Sequence, residues 1–425
     1  MPSRLLLNHR TSVLAADARP GSRVHAFHQR LAGYEPTPLR EAPELAARCR
    51  VGRVLVKDES SRMGLPAFKV LGASWATYRL LCDRLGGEPE WETLDDLAVV
   101  VADRLGPLRL VAATDGNHGR AVARMASLLK LTSTILVPEG TADARIDGIA
   151  AEGAEVIVAP GTYDDTVTLA AGMAGERDLV VSDTSWPGYE DVPAWVIEGY
   201  STIFAEIDAQ LAGLAGGDGG DGSDGGAGPT GGDVGGGPDG GREPDGADVV
   251  VTDDGIVLPD GLAVDAVVVP LGVGALGASA AACLRAGREP ADGPVLIGVE
   301  PDTAACVAAA VEAGHLVEVP GPHRSIMAGL NCGLASLLAL PAVTAAFDAF
   351  VAIDDDRCGE AVRAHAEAGM DVGETGAAAL AGLMAVVDEH HDALPLPAEA
   401  TVLLLATEGV TDPANFERIV GRPPR

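Results

Sequence analysis

Residues 108–129 read LRLVAATDGNHGRAVARMASLL. An apolar run passes into a polar, glycine-containing turn, and an Ala-rich stretch of helical character follows. This order predicts a strand, a turn and a helix N-terminus, a natural cradle for an anion because the first helical N–H groups lack intrahelical acceptors. A plain capping turn, with Asp115 or Asn117 as N-cap, fits the same residues.

The pattern repeats on both sides. Strand-like runs lie at 53–56, 97–101, 154–159, 133–138 and 179–182, and again at 264–270, 295–300, 350–353 and 401–406. Several are apolar at every position, as expected of strands covered on both faces of a parallel sheet. Helical stretches separate most of them, which is the signature of repeated crossover units in an α/β protein. Residues 212–248 break the pattern. They are rich in Gly and Asp and nearly free of large apolar side chains, so they read as a disordered insertion. Their Asp spacing is too irregular for calcium-binding repeats.

Composition narrows the function. The 425 residues carry 62 acidic against 30 basic side chains, a net charge of −32. A nucleic-acid partner is not expected, since no basic stripe offsets phosphate repulsion. No apolar run reaches the roughly 18 residues of a membrane span, and residues 1–23 do not read as a signal peptide. The six cysteines form no CxxC pair and no zinc-spaced cluster, so no metal site is expected. They suit reduced thiols in a cytoplasmic protein, with a bridge between two of them left open.

Lysine occurs only at 57, 69 and 130. Chemistry that needs a neutral amine must therefore choose among three side chains. Lys69 follows a strand, RVLVK, and a polar turn, and lies just after Pro66, which suits a helix start. In a first helical turn the dipole disfavours an ammonium, so Lys69 should lose its proton readily. A solvated surface lysine is the plain alternative, which the apolar neighbours Phe68, Val70 and Leu71 disfavour.

Two further segments matter. Gly272-Val273-Gly274-Ala275-Leu276-Gly277 joins an apolar run to a helical stretch and could take a phosphate on main-chain amides. It also matches a dinucleotide fingerprint, with Glu300 as the acidic partner, but it follows the seventh strand-like run rather than opening a domain. Residues 182–200 hold two of the four tryptophans and two of the five tyrosines, which marks a packed or ligand-lined loop.

In this order, KDES (57–60), GLPAFKVLGA (64–73), ATDGNHGR (113–120), YDDTV (163–167) and SDTSWPGYEDVPAWVIEGY (182–200) resemble the fold type II pyridoxal 5′-phosphate (PLP) enzymes. GVGALG (272–277), VEPD (299–302), SIMAGLNCG (325–333), GETGA (373–377) and ATEGVTD (406–412) continue the likeness. Within that group the chain is most similar to the diaminopropionate ammonia-lyases. The resemblance implies a two-domain fold with doubly wound, mostly parallel sheets. A larger PLP-binding domain would comprise 1–89 and 189–425, and a small mobile substrate domain 90–188.

It further implies Lys69 as the Schiff-base lysine, Asn117 on the cofactor's phenolic oxygen, and the amides of Gly272, Val273, Gly274, Ala275 and Leu276 on its phosphate. Thr407 would face the pyridine nitrogen, and Asp115 and Asp183 would form the acidic catalytic pair. A homodimer acting on a small amino acid is implied as well. Dehydratases of this fold carry serine where this chain has Asp115. A carboxylate suits a β-ammonium: at about 4 Å and a dielectric near 20 the pair gains up to roughly 4 kcal/mol before desolvation.

The expected reaction is elimination of ammonia from 2,3-diaminopropionate. A threonine/serine dehydratase-like lyase, a PLP-binding protein without catalysis and an NAD-dependent enzyme are the alternatives. Thr375, where the family usually has serine, and the phosphate turn GVGALGAS, which lacks a terminal glycine pair, depart from the pattern.

Overall fold

The apolar runs at 266–270, 349–353 and 401–406 are buried at every position, because each lies inside a sheet covered on both faces. The computed structural model describes residues 3–114, 116–215 and 264–425. Its strands are β1 (Arg4–Leu7), β2 (Leu39–Glu41), β3 (Arg53–Asp58), β4 (Arg109–Ala113), β5 (Thr132–Pro138), β6 (Glu155–Ala159), β7 (Asp178–Val180), β8 (Ala266–Pro270), β9 (Val295–Pro301), β10 (Ala349–Ile353) and β11 (Thr401–Ala406). They form a seven-stranded sheet in the order β1-β10-β9-β8-β11-β3-β2 and a four-stranded sheet in the order β6-β5-β4-β7. The smaller sheet is parallel throughout. In the larger, only the edge strands β1 and β2 run antiparallel. The doubly wound, mostly parallel α/β class is thus observed.

One expected strand is a helix. Residues 97–101 are not a strand but lie within the helix Leu94–Leu105. Thr93 and Asp96 cap it reciprocally, and Leu97, Ala98 and Val101 face inward while Val99 is exposed. The short aliphatic run hid a helical period behind its β-branched residues. Residues 191–215 form two consecutive helices, Asp191–Gly199 and Ser201–Ala215. The edge strands β1 and β2 gave no alternating signal and were not expected. Of the 212–248 segment, residues 212–215 extend the second helix, and the remainder lies outside the described residues.

Two close crossings fix the interior. A Cβ on Gly72 would come 2.5 Å from the Tyr200 ring, and one on Gly199 would come 2.6 Å from the Leu71 carbonyl oxygen. The helices Val70–Leu85 and Asp191–Gly199 therefore pack backbone to backbone. Beside them, His28 clasps three helices: one ring nitrogen meets the Thr202 hydroxyl at 2.7 Å and the other the Leu71 carbonyl at 3.0 Å. A second buried knot joins Lys57, Glu206, Arg62 and Glu59, with the Lys57 ammonium 2.7 Å from Glu206 and Arg62 bonded to both carboxylates. Two cations and two anions balance there, as burial requires.

Among the described residues no helix is long and apolar enough to cross a membrane, and no group of three His, Cys, Asp or Glu side chains is placed to hold a metal. All six cysteines are unbridged.

Burial pushes the His28 imidazole down to about 3 and that of His365 down to about 4. Both are neutral in the folded chain, whereas the unfolded chain protonates them near pH 6.5. Below that pH the unfolded state binds more protons, so stability falls as the pH drops from about 6.5 towards 4. Thermal melts across this window should show a steady loss, and H28Q should flatten part of it.

Candidate active site

Loops at the C-terminal ends of six parallel strands meet in one cavity. They follow β3, β8 and β11 of the larger sheet and β4, β6 and β7 of the smaller one. Parallel α/β sheets bind ligands at this end of their strands.

The loop after β3 delivers Lys69. Its turn is zipped to the segment after β11: Gly409 N–H donates to the Pro66 carbonyl at 2.8 Å, and Ala67 bridges to Glu408. The helix begins at Val70, so Lys69 is its N-cap rather than a first-turn residue. Its ammonium donates to Asp183 Oδ2 at 2.7 Å and lies 5.4 Å from the Phe68 ring and 5.9 Å from that of Tyr200. The other lysines are elsewhere. Lys57 is fully buried in the knot described above, and Lys130 is exposed and paired with Asp95.

The loop after β7 delivers Asp183. The Tyr189 hydroxyl braces it, donating to the Val180 carbonyl at 2.8 Å and accepting from Ser182 N–H at 3.1 Å. Trp186 stacks on Tyr189 with centroids 4.2 Å apart, and Ser185 meets the Ser336 hydroxyl at 2.7 Å. The aromatic cluster is therefore a brace for the turn. Asp183 is buried, and its second oxygen accepts from the Tyr163 hydroxyl at 3.2 Å. Burial opposes its ionisation, but the Lys69 ammonium and the Tyr163 hydroxyl outweigh that and hold the carboxyl below the usual range.

The loop after β8 is the glycine turn. Gly274 has φ +98°, in the left-handed region, and precedes the helix Ala275–Arg285. A Cβ on Gly272 would come 3.1 Å from the Gly329 carbonyl oxygen, so a side chain there would push the two backbones a few tenths of an ångström apart. The amides of 273–276 thus open the helix N-terminus towards the cavity. Ser336 N–H donates to the Val273 carbonyl at 2.8 Å, which ties this turn to the Asp183 loop.

Asn117 starts the helix Asn117–Leu128 and donates through Nδ2 to Glu408. Thr407 lines the cavity, its hydroxyl 3.4 Å from the Thr375 carbonyl. Lys69, Asn117, Asp183, Gly272, Val273, Gly274, Ala275, Leu276 and Thr407 therefore share one cavity. Asp115, expected beside them, lies outside the described residues.

Sequence reading did not single out Glu408, Tyr163 or His118. Each adjoined or lay within a motif already noted, but only the fold turns these side chains onto the cavity. Glu300, the acid a dinucleotide would need, is buried and accepts Val307 N–H at 2.8 Å and Ala308 N–H at 2.9 Å. It caps a helix and does not line the cavity, so the dinucleotide reading loses its ribose partner.

The donor set fits PLP. One lysine reaches the cavity to hold the aldehyde, a glycine turn at a helix N-terminus offers amides for the phosphate, and an amide and a hydroxyl remain for the ring oxygen and nitrogen.

The family model for pyridoxal-phosphate dependent enzymes matches residues 31–218 and 258–408, so its gap falls on the Gly/Asp-rich segment. The chain is 32% identical to the diaminopropionate ammonia-lyase of Escherichia coli K12 over 93% of its own length and 89% of the relative's. It is 32% identical to that of Salmonella typhimurium LT2 over 94% and 91%. A crystal structure of the E. coli enzyme in complex with an aminoacrylate-PLP azomethine reaction intermediate superposes with a TM-score of 0.79 at 29% identity, covering 99% of this chain and 97% of that one.

In G274V a side chain would meet Ala339 Cβ at 3.3 Å in a backbone region hostile to L-residues. PLP affinity of the apo chain should fall about tenfold or more, read by fluorescence titration. By its family match and its relatives alike, the chain belongs to the pyridoxal-phosphate dependent enzymes.

Proposed function

We propose that this chain eliminates ammonia from 2,3-diaminopropionate, giving pyruvate and a second ammonia. Bound PLP supplies an electron sink for the charge that develops at the substrate's α-carbon.

Lys69 holds the cofactor aldehyde and, once released by the incoming amino acid, stands over one face of the α-carbon as a base. Asp115 or Asp183 serves the other face, which would admit both enantiomers. The observation that carries the substrate assignment is the buried, ionised Asp183 at 2.7 Å from the Lys69 ammonium. When the incoming amino acid releases Lys69 as the neutral amine that acts as base, Asp183 keeps the Tyr163 hydroxyl but loses its nearest cation. A buried anion without a cation is costly. The substrate's β-ammonium replaces that charge, where a β-hydroxyl could not. The nitrogen leaves as ammonia with its electron pair, and the α-proton stays on the enzyme's base. Released aminoacrylate adds water and loses its own nitrogen, so one water is consumed for two ammonia formed.

The amides of 273–276 hold the phosphate, Asn117 the phenolic oxygen and Thr407 the ring nitrogen. Residues 90–188, built on the smaller sheet, act as the domain that closes over the substrate, against a larger domain of 1–89 and 189–425. The enzyme works as a homodimer in the cytoplasm. Six unbridged thiols support that compartment, and the family resemblance supports the dimer.

A panel of D- and L-diaminopropionate, serine and threonine, assayed for 2-oxo acid release, tests the reading. The diamine should have the highest kcat/KM; faster turnover of serine or threonine would make the chain a dehydratase. D183N and D115N should keep the cofactor yet lose at least about a hundredfold in kcat on one or both enantiomers. K69A should lose turnover altogether.

A further inference from the structure

Glu408 is a carboxylate that the proposed chemistry does not use, and it is fully buried at the edge of the cavity. Its donors come from both sides of the cleft. From the larger sheet, Thr375 N–H donates to Oε1 at 3.2 Å. From the smaller-sheet side, Asn117 Nδ2 donates to Oε2, and the Arg145 guanidinium lies 3.6 Å from Oε1. Arg145 is itself buried and rides on the helix Asp143–Ala150. The main chain of Glu408 bridges to Ala67, two residues before Lys69. One residue thus touches the lysine's turn, the Asn117 amide and two helices that flank the smaller sheet.

We propose that Glu408 is a positioning residue that aims the Asn117 amide at the cofactor and fastens the smaller-sheet unit over the site. The first half rests on the reading that Asn117 meets the cofactor's phenolic oxygen. An amide group has two hydrogens in one plane. Glu408 takes one, which sets the direction of the other and forbids the flipped amide, since a carboxylate can only accept. The second half rests on the donors. Opening the cleft would strip Asn117 and Arg145 from a buried anion and leave Thr375 N–H behind. An uncompensated buried charge is strongly unfavourable, so the closed arrangement is favoured. The other ionisable groups facing Glu408 are Glu374 and Cys358, both neutral or anionic, so Arg145 is the cation that balances it.

The test uses the holoenzyme and four variants: E408Q, N117A, their double and R145Q. By aiming the Asn117 amide, Glu408 sets the pH at which the visible band of the bound cofactor fades. In E408Q one cofactor per chain should remain, while that pH shifts by about half a unit to one unit. The double variant should titrate like N117A, because the effect passes through that amide. Amide hydrogens of 117–128 and 143–150 should exchange about fivefold faster or more in E408Q.

A wild-type titration with unchanged exchange in E408Q, or additive shifts in the double variant, overturns the proposal. If E408Q does not fold, R145Q carries the exchange measurement: faster exchange over 117–128 supports the fastening, and unchanged exchange overturns it. A wild-type enzyme with no visible band removes the cofactor reading and this proposal together. A normal band with an unresponsive E408Q removes this proposal alone.

Discussion

A lysine that is four-fifths shielded from water needs a counter-charge, and Asp183 supplies it at 2.7 Å. Much of the architecture around the cavity serves to bring these two side chains together. Lys69 comes from the larger sheet's loop after β3 and Asp183 from the smaller sheet's loop after β7. The pair therefore exists only when both sheets are formed and their strand ends face one another. It also sets the electrostatics: Asp183 stays ionised because the Lys69 ammonium stands beside it, while the neighbouring His118 is kept from protonating chiefly by its own burial.

The supports are mostly main chain. The Lys69 turn is bonded to residues 407–409, and the glycine turn of 272–276 is bonded through Ser336 to the Asp183 loop. Where three segments converge, glycine removes side-chain bulk. A Cβ on Gly409 would come 2.6 Å from the Ser60 carbonyl oxygen, and one on Gly373 would come 2.2 Å from that of Gly409. The GETGA and ATEG motifs are thus explained by how closely their backbones approach, and Glu408 sits where they meet.

Much of this was legible in the sequence because it is local. Apolar runs marked most of the buried strands, and strand–turn–helix order placed Lys69, Asn117 and the 272–276 turn at the ends of those strands. The resemblance added Asp183 and Thr407. What escaped was non-local or ambiguous in period. Residues 97–101 look the same as a buried strand until the Thr93–Asp96 cap is weighed. Edge strands β1 and β2 are short and half-exposed, so no alternation announces them. Glu408, Tyr163 and His118 are ordinary residues in sequence, and only the meeting of two sheets gives them partners. The Glu300 spacing suggested a ribose ligand, but the fold spends that carboxylate on capping a helix.

The proposed chemistry depends on Lys69 as the cofactor's anchor. Reducing the holoenzyme with borohydride and mapping its peptides tests this directly. The pyridoxyl mass should appear on the peptide that contains Lys69 and on no other. A label on Lys57 or Lys130, or no label at all, would contradict it.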